Sequence, residues 1–229
     1  MTTSRTHAAM VALGAATLSL VSCADSQNPV ETSRSPITVT SVEGTLETAR
    51  AGHNAVLLTD GRVLLAGGGS DTAQVFDIVH GSTTVTGTMK AARQYATAVM
   101  LPNTKVWVAG GHTGGTSLAS TELFDPETLN WSAGPALPVA RDSHTATVLA
   151  DGKVLLVGGL RDFSNFLATT LLFDPATASV SSAEPLATPR AGHTATLRAD
   201  GTVLVCGGRN DTGYLASCET YDPASDAWT

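Results

Sequence analysis

RDSHTATVLADGKVLLVGG, residues 141–159, packs an Arg, a His and two Asp into one short span and closes on paired glycines. Taken alone, it invites a catalytic reading. The rest of the chain decides otherwise, because nearly the same string occurs three more times: RAGHNAVLLTDGRVLLAGG from Arg50, RQYATAVMLPNTKVWVAGG from Arg93 and RAGHTATLRADGTVLVCGG from Arg190. The arginine stands 17 residues before the first glycine in every copy, and successive copies begin 43, 48 and 49 residues apart. Length varies only between motifs, and internal periods of this size mark propellers or arrays.

Each unit can be read as a set of strands. HTATVLA alternates small or polar residues with apolar ones, and Asp-Gly then separates it from KVLLVGG. Asp-Gly between apolar runs signals a hairpin whose two turn residues both take positive φ. Copy two has Asn103-Thr104 instead, for which a looser turn or another type is expected. Val154 to Val157 are apolar at consecutive positions, as in a strand covered on both faces. A loop of variable length follows, and then a third strand recurs as AQVFD, STELFDP, TTLLFDP and ASCETYDP, with Phe76, Phe124, Phe173 or Tyr221 ahead of an Asp. A turn leads to a fourth strand, marked by Trp131 and Trp228 six residues past the Asp, with Thr83 and Val180 at that place in the other copies. Leu46, Met89, Leu137 and Leu186 each stand four residues before a motif arginine.

Four antiparallel strands per unit, paired glycines and an aromatic on the later strands resemble the kelch repeat, whose units are β-propeller blades. The resemblance runs from about Ile37 to the end and implies an all-β, kelch-type propeller of four-stranded antiparallel blades. A single blade cannot bury both faces, and stacking blades around an axis covers them. Glycines such as Gly67-Gly68 would permit close backbone approach. The motif Arg and His are expected to tie adjacent blades, through backbone carbonyls or the Asp residues. Tyr95 is read as the residue standing in for His in copy two. ITVTSVEGTLETAR reads as the fourth strand of a blade ahead of copy one. Four motifs are fewer than kelch rings usually carry, so an incomplete ring about two or three blades short is expected. The rivals are a tight four-bladed ring and an assembly completed by another chain.

The N-terminus, MTTSRTHAAMVALGAATLSLVSC, has a positive charge at Arg5 followed by an uncharged, mostly apolar segment from Ala8 to Val21. This reads as an export signal over residues 1–22, too short for a transmembrane helix of about 20 apolar residues. Its ending, Leu20-Val21-Ser22-Cys23, resembles the lipobox of bacterial lipoproteins, which implies lipidation at Cys23 and a membrane tether. Ala24 after the cysteine is compatible with outer-membrane sorting, and the expected location is the cell envelope, on the periplasmic side or at the surface. Residues 23–36 form a polar, aperiodic linker, and 37–229 the propeller. Of the remaining cysteines, Cys206 ends one expected strand and Cys218 begins the next. They are read either as a disulfide, if the register brings their Cβ atoms together, or as two buried free thiols.

The net charge is −7, or −8 once a leader whose formal charge is +1 is removed (−7 − 1 = −8). An acidic chain with no basic stripe is a poor match for nucleic acid, where affinity rests on Lys and Arg displacing counterions. His53, His144 and His193 are equivalent positions of different blades, expected around a ring rather than converging on one metal ion. No metal or other cofactor is assigned. Arg141, His144 and Asp151 are repeat residues, so no catalytic residue is assigned either. The kelch-built galactose oxidases use copper, Tyr and His, and no such constellation can be placed on Tyr95, Tyr214 and Tyr221. Sugar mutarotases on kelch rings are the other enzyme class, with a site in blades beyond these four. The favoured function is a protein- or carbohydrate-binding module, because irregular loops on a regular scaffold carry recognition. The loops after the glycine pairs supply the candidate residues His112, Arg161, Asp162, Phe163, Asn165, Phe166, Arg209, Asn210, Asp211 and Tyr214, where aromatics beside Arg and Asn suit protein or glycan contacts. The same loops can equally be read as ordinary solvated connections.

Overall fold

A computed structural model describes residues 45–229. The readings of a leader, of Cys23 and its linker, and of a strand in ITVTSV fall outside the described residues. The described residues contain strands and no helix. Blade I consists of β1 (His53–Leu57), β2 (Val63–Gly67), β3 (Ala73–Asp77) and β4 (Ser82–Val85), antiparallel and in sequence order. Blade II has β5 (Thr97–Met100) and β6 (Val106–Ala109), a small hairpin of β7 (His112–Thr113) and β8 (Thr116–Ser117), then β9 (Thr121–Asp125) and β10 (Asn130–Ala133). Blade III repeats this with β11 (Thr145–Val148), β12 (Val154–Val157), hairpin β13 (Leu160–Arg161) and β14 (Asn165–Phe166), β15 (Thr170–Asp174) and β16 (Ser179–Ala183). Blade IV has β17 (Thr194–Leu197), β18 (Val203–Cys206), hairpin β19 (Arg209–Asn210) and β20 (Gly213–Tyr214), β21 (Cys218–Asp222) and β22 (Ala227–Trp228).

The first strands of consecutive blades, β1, β5, β11 and β17, neighbour one another, and the apolar core lies between blades. Val56, Leu64 and Val75 of blade I meet Val106, Val108 and Phe124 of blade II. Trp107 and Leu101 of blade II meet Val154, Leu156 and Phe173 of blade III, with the Trp107 and Phe173 rings stacked 4.1 Å apart. Leu155 and Val157 of blade III meet Val203, Val205 and Tyr221 of blade IV. The consecutive apolar runs on the second strands therefore serve two interfaces at once. Fully burying such side chains contributes about 1.5–3 kcal/mol each.

The hairpin between first and second strands is not the two-residue turn that Asp-Gly suggests. In blade III the Leu149 N–H donates to Lys153 O and the Gly152 N–H to Leu149 O, with only Gly152 at positive φ (+85°). This is a three-residue loop, a type I turn closed by one left-handed residue. The Asp gives the loop a second tie, since Asp151 Oδ1 accepts the Lys153 N–H. Blade II builds the same loop, with Thr104 in the left-handed position (φ +66°) and Asn103 Oδ1 accepting from Lys105. The expected difference in copy two is thus absorbed by backbone strain at Thr104.

Arginine and histidine divide the work between them. Each motif arginine binds inside its own blade: Arg141 Nη1 donates to Gly158 O (3.0 Å) and Thr169 O (3.2 Å), bracketing the glycine bend against the third strand. Arg50, Arg93 and Arg190 repeat the bond to the first glycine's carbonyl. It is the arginine's backbone that joins blades, since Gly111 N–H donates to Arg141 O and Gly159 N–H to Arg190 O. Two of the arginines also take a carboxylate of the third strand, Glu122 for Arg93 and Glu219 for Arg190, both at 2.7 Å, while Arg50 and Arg141 donate to the hydroxyls of Thr72 and Thr169; none pairs with a turn Asp. The second glycine is dictated by space: at Gly159 (φ +104°) a Cβ would lie 2.7 Å from Asp142 O and 2.8 Å from His144 Cβ. Two of the three motif histidines, His144 and His193, do cross between blades, each through a threonine. His144 Nε2 shares a 2.9 Å hydrogen bond with Thr97 Oγ1 of blade II, and His193 Nε2 one of 2.9 Å with Thr145 Oγ1 of blade III.

Candidate functional site

The residue two places after each motif arginine begins the site. Gly52, Tyr95, Ser143 and Gly192 all adopt left-handed backbone, with φ of +69°, +51°, +52° and +64°. They are chained across the blades: Tyr95 N–H donates to Gly52 O, Ser143 N–H to Tyr95 O and Gly192 N–H to Ser143 O. Strand register corrects the reading of Tyr95. Thr97 faces Ala109 and Thr145 faces Val157, so Ala96 occupies the histidine position and Tyr95 the glycine position. A bulky residue in left-handed backbone costs about 1–2 kcal/mol relative to glycine.

Three blades converge on a pocket of about 540 Å³ at this end. Blade II supplies Tyr95, Ala96 and His112, blade III Asp142, Ser143, His144, Leu160 and Phe163, and blade IV Ala191, Gly192, His193 and Arg209. Tyr95 is 55 % exposed and stacks on His112 with centroids 5.6 Å apart; Phe163, 56 % exposed and at φ +60°, meets the His112 ring edge-on at 5.1 Å. The hairpins of blades II and III are stitched together beside the pocket. Ser117 Oγ–H donates to Asp142 Oδ2 (2.8 Å) and accepts the Asp162 N–H (2.8 Å), while Ser143 Oγ–H donates to Asp142 Oδ1 (2.9 Å). Both carboxylate oxygens of the buried Asp142 are thus engaged.

Burial holds the His144 imidazole well below its usual pKa, with the charges of Arg141 and His193 adding to the effect. Burial and then Arg190 bring His193 down to about 4. Both rings are neutral at pH 7. Asp142, Ser143 and His144 adjoin without forming a relay, because His144 Nε2 is taken by Thr97 and Asp142 binds serines rather than the imidazole. Among the described residues no three His, Cys, Asp or Glu side chains gather to hold a metal ion. His144 and His193 both line the pocket, and each shares a hydrogen bond between its Nε2 and a threonine of the preceding blade. His53 is exposed on β1 and does not line the pocket.

Of the loop residues singled out from the sequence, His112, Phe163 and Arg209 line this pocket. Tyr214, 93 % exposed, lines an adjoining depression that shares Ala191, Gly192 and Arg209 with it. Arg161 and Asp162 pair with each other at 3.3 Å on the outside of their hairpin. Asn165 and Phe166 sit on β14, and Asn210 Oδ1 accepts from Thr212 to close its own turn, next to the exposed Asp211. Tyr95, Asp142, Ser143, His144 and His193 were not legible as site residues from motif logic. The available signal was variation inside the motif: after the arginine the copies read Ala-Gly, Gln-Tyr, Asp-Ser and Ala-Gly. The cysteines, by contrast, meet directly, since Cys206 and Cys218 are cross-strand partners joined by a disulfide at the base of the hairpin that carries Arg209.

A search of the curated proteins finds no match. Among solved structures, that of YjhT matches with a TM-score of 0.69 at 16 % identity, covering 82 % of this chain and 67 % of that one, a likeness of fold. The Kelch motif model matches residues 189–229, and the KLHDC2/KLHL20/DRC7 Kelch-repeats domain model matches residues 6–185, a span that takes in most of the stretch read as leader and linker. With four antiparallel blades each bracketed by the same arginine and glycine pair, the chain belongs to the kelch-repeat β-propeller family.

Proposed function

We propose that the chain is an exported, lipid-anchored interaction module that binds a protein partner on the hairpin end of its blades. The observation that carries this reading is the composition of that end. Tyr95, Phe163 and Tyr214 are each more than half exposed there. Arg209 lies between them and makes no ion pair among the described residues, whereas Arg62, Arg161 and Arg198 are each paired with a nearby Asp. Exposed aromatics and arginine around a concave patch are what interface hot spots are made of. The Cys206–Cys218 disulfide suits an oxidising compartment, which supports export.

Selecting a random peptide display library on the purified protein tests the binding half. Sequences should enrich, and their binding should fall at least tenfold on Arg209→Ala or Tyr214→Ser. Absence of enrichment, or enrichment indifferent to both changes, removes the reading. The anchor is tested by Cys23→Ser, which should abolish acyl labelling and release the protein from membranes; retained labelling defeats the assignment.

A further inference from the structure

Two features of the pocket depart from the pattern of the other blades. At the position two residues after the motif arginine, blades I and IV use Gly52 and Gly192, which suit left-handed backbone, yet blade II holds Tyr95 there with its ring more than half exposed. In the hairpin of blade III, Phe163 is again left-handed and more than half exposed, in a turn where blade II has Gly114-Gly115. Bulky side chains at such positions are genuine outliers, and strain of this kind collects at ligand clamps. Both rings line the same pocket and each packs against His112.

We infer that Tyr95 and Phe163 are kept at these strained positions to grip one aromatic side chain of the partner. This rests on the interaction reading above and names the chemistry of the anchor. The two rings offer faces and edges for aromatic packing. Ala96, Leu160 and Ala191 supply apolar lining between them and the far wall. The Arg209 guanidinium on that far wall, without an ion pair among the described residues, suits cation–π contact with a ring, which favours Trp and Tyr over an aliphatic side chain. A cationic anchor is disfavoured by the same guanidinium.

The test measures N-acetyl-tryptophanamide and N-acetyl-leucinamide binding by NMR titration, beside thermal melting, for the wild type, Tyr95→Gly and Phe163→Gly. The tryptophan amide should bind at least tenfold more tightly than the leucine amide. Each variant should lose at least tenfold of that binding while melting at or above the wild-type temperature, because glycine relieves the backbone. Should a glycine variant fail to fold, Tyr95→Asn and Phe163→Asn, which also tolerate left-handed backbone, replace it. Equal binding of the two amides, no binding of either, or variants that melt lower yet bind as before would overturn the inference. Library peptides that lack aromatic residues but still depend on Arg209 would overturn it while leaving the interaction reading in place.

Discussion

Blades II and III use the same motif arginine in opposite company. In blade II Arg93 is fully buried and paired with Glu122, which also accepts the Lys90 N–H, and the histidine position is the small Ala96. In blade III Arg141 is just as buried, but Leu171 stands where Glu122 would be, and the histidine is present as His144. Burial without a carboxylate lowers the Arg141 pKa to about 10. The bonds from each arginine to the first glycine's carbonyl and to the residue before the third strand persist in both blades. The invariant function is therefore bracketing the glycine bend, and the counter-ion is an addition that individual blades carry or omit.

The largest expected effect separates the two arginines. Arg93→Met leaves Glu122 buried without its cation, and removing one partner of a buried pair costs about 3–5 kcal/mol. Arg141→Met leaves no orphaned acid, only carbonyls short of a donor, and should cost less, about 2–3 kcal/mol. Urea unfolding of both variants checks the order. Equal losses would mean that the carboxylate contributes nothing beyond the bracket.

Junctions between blades titrate differently for the same reason. Blades III and IV meet through His193 and Thr145, whereas blades I and II meet through the Asn54 carboxamide donating to Ala96 O (3.1 Å), which carries no titratable group. His193 falls from an unfolded value of 6.5 to about 4, so below pH 6.5 the unfolded chain binds the proton and the folded one does not. Its contribution is intact above pH 6.5 and is lost between about 6.5 and 4, amounting to about 3 kcal/mol. Replacing His193 by Gln should flatten that stretch of the stability curve measured by urea midpoint against pH, and an unchanged slope would remove His193 as its cause.

Blade IV differs again in carrying a covalent link where the others have Ala66 facing Ala73, Ala109 facing Thr121 and Val157 facing Thr170. Replacing Cys206 and Cys218 together by Ala should cost about 2–3 kcal/mol, by releasing the hairpin of Arg209 in the unfolded chain and loosening it in the folded one. A melt under reducing conditions should match that of the double variant.

The four motif-bearing blades and their strand order could be read from the repeats, because the fixed arginine-to-glycine spacing sets the first hairpin of each blade and the bend its arginine brackets. Side-chain partnerships could not. Glu122 and Glu219 find their arginines across a sheet, at a separation of 29 residues and in only two copies, so no repeat pattern announces them. Tyr95 sits one residue before the position that local resemblance to His suggests, and only strand pairing resolves the difference. The pocket draws on the starts of three first strands and on the hairpins, which are remote in sequence and are brought together only when the blades stack and bond to one another. Half of it was hidden in positions that look structural.

The smallest effect tests the turn in blade II against those in blades I, III and IV. Gly61, Gly152 and Gly201 hold the left-handed place of the hairpin loop, and Thr104 holds it in blade II with the same pair of backbone bonds. A β-branched residue pays about 1–2 kcal/mol for left-handed backbone, and glycine removes that strain at the price of a more flexible unfolded chain. Thr104→Gly should therefore stabilise by about 1 kcal/mol or slightly less. Asn103 and Lys105 keep their bond through the change, so the gain comes from the backbone alone. A neutral or destabilising outcome in urea would mean that Thr104 makes a compensating contribution in the folded state that its exposed side chain does not reveal.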